Sequence, residues 1–285
     1  RTKLQGEYIP QELSEYESYP FQLYKPDDTA TFPFHNSKKY DILTEAFKNT
    51  KGAEYMSYFQ VNWNDYIEDI IKIADKENWS NDTYPNNKIL TNYMVHTYKK
   101  LSSEKNIVTN NALFNTGLFT EFYQPIYAYQ DKNGLRFLTS YELGNINISD
   151  RPPRANYFED PSLLLFDWHY EININYKHIL KDINNIERIP EKLKDSKNIL
   201  NNLNGSIETM KKRVSANYKL AIPQYYENKI QLLLPLCLED DTTPSLALTV
   251  TKVGNYYQGH TCLTLDMAYN NARLIAKPES NWLSI

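Results

Sequence analysis

Apolar positions along this chain change their spacing several times. Over residues 38–108 they recur every three or four residues. Tyr40, Leu43 and Phe47 share one helical face, Trp63, Ile67, Ile70, Ile71 and Ala74 a second, and Leu90, Tyr93, Met94, Thr97 and Leu101 a third. Pro85 separates the second helix from the third. From residue 109 the spacing becomes two. The segment PIYAYQDKNGLRFLTSY (125–141) alternates on both sides of Asn133-Gly134, the signature of a two-residue hairpin. Helical spacing returns over 176–221, with Tyr176, Ile179, Leu180 and Ile183 on one stripe and Ile207, Met210, Val214 and Tyr218 on another. Pro190 and the polar stretch 201–206 divide that block, with Ser206 as an N-cap. IQLLLPLCL (230–238) reads as a buried strand, and LALTVTKV (246–253) and YYQGHTCL (256–263) flank Gly254-Asn255 as a second hairpin. Asp266 caps a last helix that stops before Pro278, and Pro10, Pro20, Pro26 and Pro33 mark 1–37 as an extended arm.

Helices and hairpins thus arrive in blocks, without a βαβ rhythm. The pattern predicts an α+β fold: a mainly antiparallel sheet built from hairpins, packed with an N-terminal helical block (38–108) and a mid-chain helical block. The core at 109–285 and the 38–108 block are expected to form one compact domain.

Composition narrows the classes. Of 285 residues, 41% are hydrophobic and 23% charged, which fits a packed core, and the net charge of −4 argues against a strongly basic nucleic-acid binder while leaving room for a local basic patch. Two cysteines, Cys237 and Cys262, sit in apolar runs; they are too few for a disulfide framework and favour a cytoplasmic setting. No apolar run reaches the roughly 18 residues of a membrane span. The chain begins with Arg rather than Met, as an excised fragment does, so a missing export signal carries no weight. The common dinucleotide, phosphate-loop, zincin and esterase motifs are absent, and the residues name no cofactor and no metal.

Candidate chemistry lies on the β segments. In FDWHYEINI (166–174), Asp167, His169 and Glu171 occupy every second position. They are tentative acid–base or metal-ligating groups, together with His260. A straight strand sets i and i+4 about 13 Å apart, too far for one ion to hold both carboxylates. The row therefore reads first as the outer side of a half-buried strand.

In the second hairpin Val253 pairs Tyr256, so Thr249 lies opposite His260 and Thr251 opposite Gln258. One face, with Leu246, Leu248, Val250, Tyr257, Thr261 and Leu263, is core; the other carries Thr249, Thr251, Tyr256, Gln258 and His260. The same rule puts Tyr127, Tyr129, Asp131, Arg136 and Leu138 on one face of the first hairpin, with Asp131 and Arg136 a cross-strand pair. Mixed aromatic and hydrogen-bonding faces suit base stacking, and equally suit an ordinary solvated or helix-covered sheet. Lys211, Lys212, Arg213, Lys219, Arg151, Arg154 and Arg273 are the cations for phosphate contact, or else a solvated face. Asn115-Thr116-Gly117 reads as a turn that offers N–H groups to an anion.

Four segments carry a resemblance: NALFNTGLFTEFYQPIYAY (111–129), RPPRANYFEDPSLL (151–164), YKLAIPQYYENKIQLLLPLCL (218–238) and GHTCLTLDMAYNNARLIAKPESNWL (259–283). From about residue 85 onward the chain is similar to a bacterial family known only as a domain of unknown function. Members of that family are sometimes joined to cold-shock-type or LOTUS-type RNA-binding modules, so the resemblance implies an RNA-related setting by association, with no catalytic residues to carry across.

The leading expectation is a cytoplasmic RNA- or nucleotide-binding domain. Its surface would combine Tyr127, Tyr129, Arg136, Arg154, Tyr256, Gln258 and His260 with Lys211, Lys212, Arg213, Lys219 and Arg273. Its partner would be single-stranded RNA or a nucleotide. The alternatives are a nuclease or RNA-processing enzyme acting through Asp167, His169 or His260, and a scaffold whose helical block meets a protein partner or a second copy.

Overall fold

The computed structural model describes residues 63–108, 112–131 and 134–284. The 1–37 arm, the Tyr40–Leu43–Phe47 stripe and the Asn133 turn position lie outside the described residues. The chain is a mixed α+β protein whose described residues divide into two compact units, one within 63–77 and 97–155, the other within 78–96 and 156–284.

In the first unit, helix α1 (Ile67–Ile73) turns Ile67 and Ile70 inward and leaves an Asp69–Lys72 ion pair on its wet side. Helix α2 (Lys88–Ser103) contributes its second half, with Thr97 and Leu101 buried. Strands β1 (Phe114–Phe119), β2 (Pro125–Asp131) and β3 (Gly134–Thr139) form an antiparallel sheet in that order. Asn115-Thr116-Gly117 lies inside β1, at an irregularity in its register, with Gly117 at φ +76° and Thr116 fully buried. The expected free turn there is corrected. In the first hairpin Asp131 pairs with Gly134, two residues out of the expected register. A two-residue slip keeps every side chain on its expected face, so Arg136 still meets Asp131 at 2.7 Å, now diagonally. Helix α3 (Ser140–Asn145) begins with a capping box between Thr139 and Glu142.

The second unit is built on a five-stranded sheet. Strand β4 (Glu171–Ile174) comes first and the chain then runs through α4 (Tyr176–Lys181), α5 (Ile183–Ile186), α6 (Glu191–Lys194) and α7 (Ile199–Ala216). The remaining strands are β5 (Ile222–Tyr226), β6 (Lys229–Leu236), β7 (Leu246–Val253) and β8 (Tyr256–Leu263), followed by helix α8 (Leu265–Arg273). Strand order is β4-β8-β7-β6-β5, antiparallel except for β4, which runs parallel to β8. Helix α7 is continuous through 201–206, and Ser206 is a buried position inside it rather than a cap. Its apolar stripe (Leu203, Ile207, Met210, Val214) packs on one sheet face against Leu232, Leu234, Leu248, Val250, Tyr257 and Cys262. Helix α8 covers part of the opposite face. Its cap is Thr264, whose hydroxyl accepts from Met267 N–H, while Asp266 instead accepts from Thr83.

The second hairpin keeps its expected register from Val253–Tyr256 to Val250–Gly259, and a one-residue bulge follows, pairing Leu248 with Cys262. The bulge exchanges two neighbours: Cys262 enters the core in place of Thr261. It thereby delivers the Thr261 hydroxyl to the polar side of the sheet.

A candidate anion site on the polar sheet face

The residues expected to share one surface are dispersed. Tyr127 and Tyr129, at 5% and 9% exposure, are core residues of the first unit, covered by Leu143 with Val108 and Ile148. Period-two spacing identifies two faces but not which one is covered, and here the aromatic face is. Neither ring is open to a base. Arg136, stacked 5.4 Å over Tyr129, and Arg154, 5.9 Å over Phe119, are exposed cations of the same unit.

In the second unit Arg273 is 7% exposed and clamped between Trp79 and Tyr93, with its guanidinium carbon 4.4 and 4.6 Å from their ring centres. It braces the core rather than a ligand. Helix α7 lies on the far sheet face, where Lys211 approaches Glu171 at 3.6 Å and Arg213 Nη1 donates to Cys237 Sγ at 3.0 Å. Lys212 and Lys219 are exposed.

The expected strand at Asp167–His169 is a turn instead; only Glu171–Ile174 is β. Asp167 Oδ1 accepts from His169 N–H at 3.0 Å and meets His169 Nδ1 at 2.7 Å. These hydrogen bonds to His169, the backbone one foremost, hold the Asp167 carboxyl below its ordinary value. A short acidic side chain bonding the backbone two residues on competes with strand pairing, and here it wins. Glu171 points to solvent. No group of three acidic, His or Cys side chains suited to a metal occurs among the described residues.

What the fold does bring together is a polar row crossing all five strands. Gln224 pairs with Gln231, Leu232 opposite Val250 sets Gln231 beside Thr251, Thr251 pairs with Gln258, and Gln258 with Asn173. Gln224 Nε2 donates to Gln231 Oε1 at 2.7 Å, and Gln224 Oε1 accepts from Asn271 Nδ2 of α8 at 3.1 Å. Towards β8 the row opens to solvent, where Tyr256 and His260 are exposed on the same face. His260 Nε2 lies 2.9 Å from Thr251 Oγ1, and Gln258 Nε2 donates to the carbonyls of Asn173 and Gly259. Burial, with Lys229 adding to it, lowers the His260 imidazole below its ordinary value.

Beside this row stands a residue that sequence reasoning passed over. Arg188 follows α5 and reaches back to the bulge. Its Nη1 lies 2.9 Å from Asn185 Oδ1, 3.2 Å from Thr261 Oγ1 and 3.1 Å from the Cys262 carbonyl. All three acceptors are uncharged. Asn185, at 4% exposure, is the hub: Thr261 Oγ1 donates to its Oδ1 at 2.5 Å, and its Nδ2 donates to the His178 carbonyl at 3.0 Å and faces His178 Nε2 at 3.2 Å. Because a guanidinium only donates, the amide atom facing it is the oxygen. The amide nitrogen therefore faces His178, whose Nε2 accepts and whose Nδ1 carries the ring hydrogen.

Among the described residues no carboxylate lies within salt-bridge distance of Arg188, although the Asp182 carboxylate acts on it electrostatically, and its hydrogen bonds are made by Nη1. Burial lowers its pKa, yet a guanidinium stays charged throughout the physiological range. Two phenols, Tyr84 and Tyr226, stand within its electrostatic reach. Burial raises Tyr84 to about 12 and also raises Tyr226, so both are hydrogen-bond donors at neutral pH. The same burial takes the Cys262 thiol to about 12, which removes it as a nucleophile. A half-buried guanidinium with two phenols in its electrostatic range, near an amide–hydroxyl row, is the feature of this face chemically suited to contact with an anion.

Fold and site together define an α+β domain with a helix-backed sheet whose polar face holds a pre-positioned guanidinium. The chain belongs to the family described as a domain of unknown function (DUF3825), whose family model matches residues 70–282. No curated protein and no solved structure matches the chain. No described helix is long and apolar enough to cross a membrane.

Proposed function

We propose that this domain binds a nucleotide or single-stranded RNA, with phosphate on Arg188 and sugar and base along the Gln231–Thr251–Gln258 row beside His260 and Tyr256. The observation that carries the reading is the charge state of Arg188. It is half-buried, hydrogen-bonded to three neutral acceptors, and has no carboxylate within salt-bridge distance among the described residues, the Asp182 carboxylate acting on it only from further away. Such a cation costs desolvation energy in the free protein and recovers it when an anion arrives. The exposed ring of Tyr256 supplies a stacking surface, and the amides and hydroxyls of the row can meet base edges.

The test is fluorescence anisotropy with short labelled oligoribonucleotides at several salt concentrations. Arg188→Met is expected to weaken binding at least about tenfold, since a hydrogen bond to a charged group contributes about 1.5–3 kcal/mol. Tyr256→Ala and His260→Ala each weaken it further, and affinity falls as salt rises. If all three variants bind as tightly as the wild type, this sheet face is not the binding surface.

A further inference from the structure

We propose that one end of the first unit's sheet is a self-association surface, through which two copies of this chain form a weak two-fold dimer. Tyr123, Phe122 and Tyr141, at 82%, 77% and 74% exposure, are the three most exposed large hydrophobic side chains among the described residues. All three leave the same end of one sheet. Phe119 of β1 pairs with Pro125 of β2, and Ile126 of β2 with Thr139 of β3, so the 120–124 turn and the start of α3 lie at that end together. The turn is fixed by its own hydrogen bonds. Thr120 N–H donates to the Gln124 carbonyl at 3.0 Å and Tyr123 N–H to the Thr120 carbonyl at 2.9 Å. The Thr120 hydroxyl accepts from the Phe122 and Gln124 N–H groups, each at 3.3 Å. Tyr123 sits at φ +59°, a left-handed conformation that aromatic residues rarely adopt. Beside it the Thr139–Glu142 capping box fixes the first turn of α3, which buries Leu143 and leaves Tyr141 outside. A backbone fixed in advance leaves only side-chain freedom to lose on docking.

Charge selects the partner. Arg154 stands 5.9 Å over the Phe119 ring, at the foot of the turn, and Glu121 lies within the turn; neither makes an ion pair among the described residues. Arg151 is occupied by the Ser140, Ile148 and Asp150 carbonyls, and Glu142 by Thr139. With Glu121, Glu142 and Asp150 exposed alongside the two arginines, this end carries both signs, which counts against an RNA backbone or an anionic bilayer. Exposed Tyr and Phe with Arg are instead the composition of protein–protein interfaces. A free cation and a free carboxylate flanking the same rings are self-complementary: about a two-fold axis through the turn, Glu121 of each copy faces Arg154 of the other. Aromatic side chains bury about 150–250 Å² each, so at these exposures three of them give roughly 700–1,200 Å² over both copies. That is the size of a transient interface, with a Kd on the order of 10–100 µM.

The experiment is sedimentation velocity of the full chain from about 5 to 500 µM, a range that brackets such an interface. The weight-average mass is expected to climb from the monomer value towards twice that value. Phe122→Ser combined with Tyr123→Asn is expected to weaken the dimer at least about tenfold. Asn tolerates the left-handed backbone at 123, and an unchanged urea midpoint verifies the fold. Glu121→Arg and Arg154→Glu are each expected to weaken the dimer about fivefold, and the two together to restore it, because the pair is exchanged between copies. A chain that stays monomeric throughout overturns the inference. So does a dimer that none of these variants weakens, or a pair of charge variants that fail to rescue each other. If the Phe122→Ser, Tyr123→Asn chain instead loses oligoribonucleotide affinity while the wild type is monomeric, the turn is an RNA contact and the dimer is wrong.

Discussion

Replacing Asn185 with Ala tests whether the amide, and not Arg188 alone, organises the site. The side chain makes four short contacts: Oδ1 accepts from Arg188 and Thr261, and Nδ2 reaches the His178 carbonyl and Nε2. A neutral hydrogen bond contributes about 1 kcal/mol net and one to a charged donor about 1.5–3 kcal/mol. Arg188 and His178 are partly exposed, so water replaces some of what is lost, and the variant should be about 2–3 kcal/mol less stable. With a urea slope of roughly 1–3 kcal/mol/M, the unfolding midpoint falls by about 1 M at unchanged slope. Arg188 keeps Thr261 Oγ1 and the Cys262 carbonyl, but without the hub it is no longer held in one rotamer, so affinity for the labelled oligoribonucleotide drops about tenfold. A midpoint shift below about 0.2 M shows that the four contacts are replaceable by water and that the amide is not the hub inferred here. A large loss of stability with unchanged affinity shows instead that Arg188 is oriented without Asn185.

Two further outcomes follow from buried groups outside the site. The Lys99 amine has no hydrogen-bond partner among the described residues, and burial lowers it to about 8, so the folded chain releases a proton more readily than the unfolded one. Below pH 8 the penalty is fully present; stability rises as pH climbs from about 8 towards the ordinary lysine value of 10.5, and Lys99→Met should add about 1–3 kcal/mol at neutral pH and flatten that rise, both read from urea midpoints across pH. A Cβ at Gly259 would sit 3.2 Å from Ile174 Cγ1 and 3.4 Å from the Asn173 carbonyl oxygen, so Gly259→Ala should push β4 from β8, cost about 1–2 kcal/mol and speed amide exchange in β4. Unchanged exchange there would show that the strand pair has slack.

Periodicity revealed the two hairpins, the β6 strand and the terminal helix because each depends on local spacing. It failed wherever a side chain or a distant element decided the outcome. The Asp167–Tyr170 segment alternates like a strand, but the Asp167 carboxylate captures the His169 N–H and the Tyr257 hydroxyl accepts the Asp167 N–H at 2.8 Å. Polar 201–206 looked like a break, yet Leu203 and Ser206 lie on the stripe that α7 buries, and packing overrides weak propensity. The bulge at Thr261 is invisible to a period-two count because it alters that count itself.

Arg188 shows why function was less legible than fold. Within NNIERIP it is one cation at the end of a short polar helix, where a solvated side chain is the ordinary outcome. One local sign was present: Asn185 stands three residues earlier, on the same helical face, able to accept from it. The other two anchors are 73 and 74 residues away, and one of them faces the helix only because the bulge turned Thr261 out of the core. An irregularity that costs the sheet one ladder position is thus what presents the hydroxyl and the Cys262 carbonyl to the guanidinium. Removing one residue from β8 beside the bulge would restore regular pairing but withdraw Arg188's anchors. On this argument the bulge belongs to the site as much as the arginine does.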